Sequence, residues 1–284
     1  MKTLLFLFII AFSQQINAQQ DEQLSLYMYN KLAFNPAYAG SRKALSAIAI
    51  GRFQWVNFDG APNTQWFSIQ APILQGGMGV GAHIVNDRVG NRTRTSVFGD
   101  LSASIAVNKK TSRLAVGLSG GFDMIGYDFT SVLVNNQNDP YFGTTFNETK
   151  PNVGAGIYYY SDKHFFGISS PRLLEATSNL INLGDAKLNA RHFFITGGTI
   201  LKLNSVLKMQ PSALIKYTPN SPITADVNLS LLMYEKLWMG IMYRFHVYDF
   251  PINGLRTYQS GSHELFIRFD FKPKKAVYSS PRYF

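Results

Sequence analysis

The sequence predicts an all-β protein: a transmembrane antiparallel β-barrel of about 12 strands, with 14 as the alternative count. Two observations carry this prediction, alternating apolar and polar residues in long segments and an alternation of short and long connections. In residues 223–234 the odd positions are apolar and most even positions are polar, and residues 236–248 repeat the pattern after a tight turn. Because side chains alternate across a strand, each segment has one face suited to lipid and one suited to a polar lumen. Each arm is about 12 residues long, enough for a tilted strand to cross a bilayer.

The remaining alternating segments complete the predicted set of strands. In chain order they are residues 45–55, 64–72, 78–88, 95–107, 113–123, 152–160, 164–170, 191–203, 207–217 and 263–271. The connections alternate between short and longer ones, which is typical of outer-membrane barrels with short periplasmic turns and long external loops. Residues 89–94 are one of the longer connections, and 124–151 is the longest. Fourteen strands would require a further hairpin within residues 124–151, around the apolar residues 131–134.

The chain divides into four predicted regions. Residues 1–18 have the basic start, apolar core and small-residue cleavage site of a signal peptide. Residues 19–43 form a segment without strands, placed in the lumen or at the periplasmic side. The barrel occupies residues 44–271, and residues 272–284 form a periplasmic tail. Export and lipid-facing strands together predict an integral protein of a bacterial outer membrane.

Composition limits the chemistry that the chain can perform. The absence of cysteine excludes a disulfide scaffold and thiolate chemistry. The formal net charge is +10, but the basic residues are scattered, so contact with lipopolysaccharide is predicted rather than contact with nucleic acid. The five histidines lack the HxH or HxxxH spacing of a metal site. No catalytic residue, cofactor or metal is predicted; a serine hydrolase using His83 or His246 is the enzymatic alternative.

Four charged residues on the predicted inward faces form a candidate network in the lumen: Asp226, Arg244, Arg268 and Asp270. One interpretation is a selectivity lining. The favoured one is a salt-bridged network that fills a narrow lumen or holds the N-terminal segment, since an Arg or Lys facing lipid would cost about 2–4 kcal/mol. Tyr158-Tyr159-Tyr160, Trp238 and Tyr248 lie near strand ends and are predicted to form an aromatic girdle at the membrane interface.

A set of short motifs points to a family. Tyr27-Met28-Tyr29-Asn30 precedes Asn35-Pro36-Ala37-Tyr38-Ala39-Gly40-Ser41-Arg42, and Arg52-Phe53-Gln54-Trp55, Asp59-Gly60-Ala61-Pro62 and Val85-Asn86-Asp87-Arg88-Val89-Gly90 follow. Near the end comes Gly261-Ser262-His263-Glu264. With these motifs the chain resembles the PorP/SprF family, outer-membrane proteins of the type IX secretion system and gliding machinery of Bacteroidetes. The resemblance covers the mature chain, is strongest at its N-terminal end and is loose across residues 124–190.

The resemblance implies a non-enzymatic function. Members of the family are integral barrels associated with periplasmic lipoprotein and ring components of the secretion apparatus. Some are paired with a large secreted protein, often an adhesin, whose C-terminal sorting domain they help to export or to anchor at the surface. A passive porin or small-solute channel is the alternative function, and it would need a lumen that is not plugged.

Residues rich in aromatic, amide and guanidinium groups are the candidates for contact with such a partner. They are Tyr27, Met28, Tyr29, Asn30, Asn35, Pro36, Tyr38, Arg42, Arg52, Trp55, Asp59 and, in the tail, Arg282, Tyr283 and Phe284. For the N-terminal members of this set, plugging of the lumen is an equally weighted alternative.

Overall fold

The structure, a computed structural model, describes residues 26–73, 77–107, 112–130, 144–177, 187–219, 221, 223–234, 237–246 and 263–271. Two 3₁₀ turns, Lys31–Ala33 and Pro36–Tyr38, precede the strands. The strands are β1 Leu45–Phe53, β2 Asn63–Ile73, β3 Met78–Val89, β4 Arg92–Ala106, β5 Arg113–Asp128, β6 Thr145–Tyr160, β7 His164–Ser170, β8 Ala176–Thr177, β9 Lys187–Asn189, β10 Phe193–Thr199, β11 Leu201–Lys202, β12 Leu207–Tyr217, β13 Thr224–Met233, β14 Leu237–His246 and β15 His263–Phe271. No helical element in these ranges is long and apolar enough to cross a membrane.

Thirteen of these strands form one antiparallel sheet that is wrapped into a barrel. Its order is β14-β13-β12-β10-β7-β6-β5-β4-β3-β2-β1-β15, and β11 lies off this path, paired with β12. The first strand, β1, pairs with the last, β15, and the path through the described residues ends at β15 and at β14. β8 and β9 form a separate two-stranded hairpin. The path through the sheet has the predicted twelve strands.

The barrel is apolar outside and polar inside, as predicted. On β4, Leu101 and Ile105 are 60% and 68% exposed, whereas Ser96 and Asp100 on the other face are 0% and 2% exposed. β13 follows the predicted alternation, with Val227 exposed and Asp226 buried. A water-soluble protein would have the opposite arrangement, so the outer surface is built for contact with lipid.

The outward apolar stripe has the height of a membrane's hydrocarbon layer. On β4 it runs from Val97 to Val107, while Thr93 and Thr95 above it are polar. Roughly ten steps of about 3.3 Å, tilted by about 40°, rise about 25 Å, which matches the apolar band of outer-membrane barrels. The ends of β3, β4, β5 and β6 beyond this stripe extend past the membrane.

Several predicted boundaries are wrong where strands leave the membrane. Residues 89–94 are not a loop, because β3 and β4 are joined by a tight turn at Gly90 and Asn91. β5 continues to Asp128 and β6 begins at Thr145. The outward faces are polar there, so the apolar alternation that marks a strand in lipid is missing. Residues 131–134, the core of the alternative hairpin, lie outside the described residues.

The segment after β7 also differs from the prediction. Residues 191–203 are not one strand, because the ladder of β10 ends at Thr199 and resumes as β11 beyond the buried Ile200. The preceding loop contains the hairpin β8–β9, whose strands of two and three residues are too short for a periodicity to reveal. These differences leave the order of strands around the barrel unchanged.

Candidate functional site: the plugged lumen

Residues 26–42 lie inside the barrel and are called the plug below. They are almost completely buried, with Tyr27 and Asn30 each 1% exposed and Ala37 0% exposed. The plug contacts strands on all sides: the Tyr27 and Ser212 hydroxyls lie 3.4 Å apart on the β12 side, and Gly40 N–H donates to Gln70 Oε1 of β2 at 2.9 Å. Of the two placements predicted for residues 19–43, the structure shows the one in the lumen for the described part, residues 26–42.

The Asn-Pro sequence at residues 35–36 builds the turn at the centre of the plug. Asn35 Oδ1 accepts the Ala37 N–H at 2.9 Å and so caps the turn Pro36–Tyr38, while proline at the first position has no N–H that would need an acceptor. The Nδ2 atom of the same Asn35 side chain donates to Ile157 O of β6 at 3.0 Å. Ser102 Oγ of β4 donates to Ala39 O at 2.7 Å. One short motif therefore satisfies its own backbone and binds two walls of the barrel.

Three wall glycines make room for this turn. A Cβ added at Gly79 would overlap Ala39 O, one at Gly117 would overlap the Ala37 backbone, and one at Gly156 would overlap Asn35 Oδ1. Only a residue without a side chain permits such a close approach, which is backbone against backbone at Gly79 and Gly117 and backbone against the Asn35 side chain at Gly156. We call these three residues the glycine notch. The wall is thus shaped for residues 35–40 of the plug.

Aromatic side chains hold both halves of the plug. Tyr29 stacks on Phe266 with ring centroids 4.3 Å apart and meets Trp238 edge-on at 6.1 Å. Tyr38 meets Tyr158 edge-on at 5.4 Å. The interface-girdle prediction is therefore wrong for Trp238, which faces the plug, and for the buried Tyr158 and Tyr160; the strand's alternation points these rings inward. Tyr248 lies outside the described residues.

The four charged residues predicted to line the lumen lie in ion pairs. Arg244 donates to both oxygens of Asp226, at 2.6 and 2.7 Å, and the two residues are direct cross-strand partners. Asp270 accepts a two-fold contact from Arg42 of the plug, at 3.1 and 2.7 Å, and lies 3.7 Å from Arg268 Nε. Arg–carboxylate pairs of this forked geometry are strong and directional. The network therefore includes the plug itself.

A further ion pair lies near the start of the plug. Arg52 Nε of β1 lies 3.1 Å from Glu264 Oε1 of β15, its cross-strand partner. Glu264 Oε2 also accepts the Leu26 N–H at 2.9 Å. Arg52 is buried, so its contact in this structure is with the barrel wall and not with solvent.

Lys31 is the least expected residue in the lumen, because lysine is rarely buried. Its side chain is 3% exposed, and Nζ lies 3.8 Å from the centroid of the Phe165 ring, a cation–π distance. Desolvation by burial lowers the pKa of Lys31 well below 10.5, and the positive charges of Arg42 and Arg268 act in the same direction. Packing on the ring offsets part of the cost of burying the ammonium group.

Two polar clusters on the wall were not predicted. Asp123 accepts hydrogen bonds from Arg94 and Ser96, and Arg172 Nε lies 3.4 Å from the same carboxylate oxygen. His83 Nδ1 lies 2.9 Å from Asp100 Oδ2. Asp100 and Asp123 occupy inward-facing positions in the alternation of their strands, so the sequence could have indicated the acidic residue of each cluster. Nothing in the sequence indicates that Arg172, from a loop, reaches the same carboxylate.

The predicted partner-contacting residues fall into three groups. Tyr27, Met28, Asn30, Asn35, Pro36, Tyr38, Arg42 and Arg52 are buried in the lumen, and Tyr29 is partly buried there. Trp55 and Asp59 are exposed on the loop between β1 and β2. Arg282, Tyr283 and Phe284 lie outside the described residues. The geometry of the first group favours plugging, the alternative interpretation of these residues.

The described residues contain no group of three or more side chains that could hold a metal ion. His83, one of the two histidines considered for a hydrolase, is bonded to a carboxylate and stacks on Phe98 at 5.3 Å. For His246 the structure describes the backbone but not the side chain. What the site offers is a filled lumen with paired charges.

Comparison with protein families identifies the chain's family. The family model "Type IX secretion system membrane protein PorP/SprF" matches residues 16–247, most of the chain. The chain belongs to this family. The match includes the plug, the glycine notch and the strands from β1 to β14. Membership and the apolar outer surface together support an outer-membrane location for this PorP/SprF protein.

Other comparisons add little. No curated protein matches the chain. Among solved structures, a FadL homologue from Pseudomonas aeruginosa has a TM-score of 0.43 at 12% identity and covers 82% of this chain and 79% of its own. The β domain of the Bordetella autotransporter BrkA has a TM-score of 0.37 at 12% identity, covering 72% and 92%. TM-scores this low decide nothing about the activity or partners of this chain.

The glycine notch predicts that a single methyl group disturbs the plug. In Gly117→Ala the new Cβ overlaps the Ala37 backbone, so the plug must shift and expose Lys31 and Arg42 to trypsin. Gly120→Ala is the matched control, since nothing lies within 4 Å of a Cβ at that position of the same strand. Limited proteolysis of the barrel in detergent, read by mass spectrometry, measures cleavage. Equal protection of both variants would show that the notch does not hold the plug.

The buried Lys31 predicts a stability that depends on pH. Because its folded pKa lies below 10.5, the unfolded chain binds more protons between these two values, and the free energy of unfolding rises with pH up to about 10.5. Lys31→Met removes this rise. The measurement is the difference in urea midpoint between wild type and Lys31→Met from pH 7 to 10.5, which cancels shared titrations. A difference that does not change with pH would contradict the burial of a proton-binding amine.

Proposed function

We propose that this protein is a non-enzymatic and non-conducting outer-membrane barrel of the type IX secretion and gliding machinery of a Bacteroidetes bacterium. It is exported with a cleaved signal peptide. It binds a secreted surface protein such as an adhesin through that protein's C-terminal sorting domain, and helps to export or anchor it. It also contacts the periplasmic lipoprotein and ring components of the apparatus.

The plug is the observation that supports binding over transport. A porin needs a water-filled lumen, whereas here residues 26–42 occupy the lumen and are packed against the wall at the glycine notch. The inward charges are used in pairs with each other and with Arg42 instead of lining a pore. A partner therefore has to be held at the mouths, loops or outer wall of the barrel.

The loop between β1 and β2 is the described surface best suited to such contact. Trp55 and Phe58 are 44% and 45% exposed and meet edge-on at 6.4 Å. Trp55 and Asn57 have left-handed backbones, with φ of 46° and 74°, a strain that is common at functional sites. Gly90 N–H donates to Gly60 O at 2.8 Å and fixes the loop on the β3–β4 turn. Exposed tryptophan on a fixed loop is typical of binding hot spots.

The first test is purification of the tagged protein from detergent-solubilised outer membranes, with its companions identified by mass spectrometry. We expect a very large surface protein with a type IX sorting domain, together with periplasmic components. Trp55→Ala/Phe58→Ala should lose the surface protein and keep a folded barrel, because these rings lie half-exposed on a loop between two strands and contact each other.

The matched control for this variant is Phe193→Ala, which removes an aromatic contact with Tyr217 elsewhere on the barrel and should keep the surface protein. Recovery of ring components alone would identify a core part of the machine instead of a dedicated anchor. Recovery of the barrel with no companion would contradict the proposal.

A further inference from the structure

A short segment that follows β7 folds into the lumen at the end of the barrel opposite the attachment of the plug. It consists of residues 171–174 and is called the strap below. The strap leaves β7 at the end opposite the short turn of residues 161–163, which is the predicted external end. The plug continues into β1 through residues 43–44, at the predicted periplasmic end. The strap and the attachment of the plug therefore lie at opposite mouths.

The wall holds the strap through its backbone. A Cβ added at Gly154, a buried, inward position of β6, would overlap Pro171 O, so the strap lies on the inner face of this strand. The Asn152 side chain binds both backbone groups of Leu174. Its Oδ1 accepts the Leu174 N–H at 3.1 Å, and its Nδ2 donates to Leu174 O at 3.0 Å. The strap is thus fixed on β6 and does not extend freely into solvent.

Arg172 carries the strap further around the inner wall. Its Nη2 donates to Ser96 Oγ of β4 at 3.2 Å, and its Nε lies 3.4 Å from Asp123 Oδ1 of β5. Because β6 and β5 separate β7 from β4 in the sheet, the strap and this side chain together cross about three strand intervals of roughly 4.8 Å each. They cover the inner face of β4, β5 and β6 at the external end.

The strap and the plug face each other across a small cavity. Ala33 and Phe34 of the plug line this cavity together with Pro171 and Arg172 of the strap, and wall residues complete the lining. Its volume is about 30 Å³, which leaves room for about two water molecules. The plug therefore cannot move far toward the external mouth without displacing the strap.

The contact between Arg172 and Asp123 can open without leaving the buried carboxylate uncompensated. Asp123 Oδ1 also accepts hydrogen bonds from Arg94 Nη2 at 3.1 Å and from Ser96 Oγ at 2.5 Å. Breaking a buried ion pair is most costly when one charge is left without compensation. Since Arg94 stays with Asp123, the strap can be released while the charges of the wall remain paired.

We propose that the strap is a lid over the external side of the plug, held closed by Arg172 and able to open without unfolding the barrel. Arg172 is a positioning residue, because it acts by holding the strap. A partner at the external mouth must release Arg172 before it can displace the plug. A component that acts from the periplasm meets the other end of the plug and does not encounter the strap.

Cysteine labelling of the purified full-length barrel tests the lid, since the chain has no cysteine of its own. Ala33→Cys places a thiol beneath the strap, and Ser41→Cys places one at the opposite end of the plug, where Ser41 is buried. The rate of reaction with a hydrophilic maleimide is measured for each thiol. We expect Arg172→Gln to raise the rate for Ala33→Cys about tenfold, as for the loss of a hydrogen bond to a charged group, and to leave that for Ser41→Cys unchanged.

A second variant displaces the strap without changing a charge. In Gly154→Ala the new Cβ overlaps Pro171 O, so the rate for Ala33→Cys should rise here as well. The matched controls are Arg113→Gln, which removes a guanidinium bonded to Ser104 at the other end of β5, and Gly120→Ala, whose Cβ meets nothing within 4 Å. Neither control should change the labelling rate.

Two results would overturn the inference. If both strap variants label Ala33→Cys at the rate found with the intact strap, the strap does not cover the plug. If they accelerate Ala33→Cys and Ser41→Cys equally, they loosen the plug as a whole, and the strap is not a lid on one side of it. Neither result bears on the binding of a surface protein, which the purification experiment tests separately.

Discussion

The close approach of residues 35–40 to the glycine notch is the contact on which the rest of the structure depends. A barrel of twelve strands encloses more space than its own inward side chains fill, and an open lumen would leave it hydrated. The capped turn at Asn35 brings backbone against backbone, with its amide donating to Ile157 O. Close packing of this kind has a single solution, so the position of the turn fixes that of the whole plug. The filled lumen follows from it.

Charge in the lumen is arranged around this plug. The wall carries Arg–carboxylate pairs that are direct cross-strand partners, so the register of the sheet creates them. Arg42 adds the plug to the network through Asp270, and the Leu26 N–H does so through Glu264. Buried ion pairs often contribute little net stability, because desolvation opposes their attraction. Their use here is to specify one position of the plug, since any other position would leave buried charges without partners.

The sequence predicted the barrel well because its alternation in lipid is local. The parity of β13 and β14 placed Asp226 and Arg244 inside, and the twelve-strand path was recovered. Outside the membrane both faces of a strand are polar. The extension of β5 to Asp128 and the start of β6 at Thr145 therefore had no apolar alternation by which they could be predicted. The choice between the lumen and the periplasmic side for residues 19–43 could not be made either. Asn35 and Ile157 are separated by 122 positions, and a glycine in a strand does not indicate what approaches it.

The central claim is that the lumen is filled by the chain itself, so that the protein binds and does not conduct. Ion conductance of the purified full-length protein in planar lipid bilayers tests this claim most directly. The account predicts that the wild-type barrel inserts and gives no steady conductance, because the plug is packed on all sides by the wall. Stable, ohmic single-channel currents from the intact chain would contradict it and would make the protein a porin.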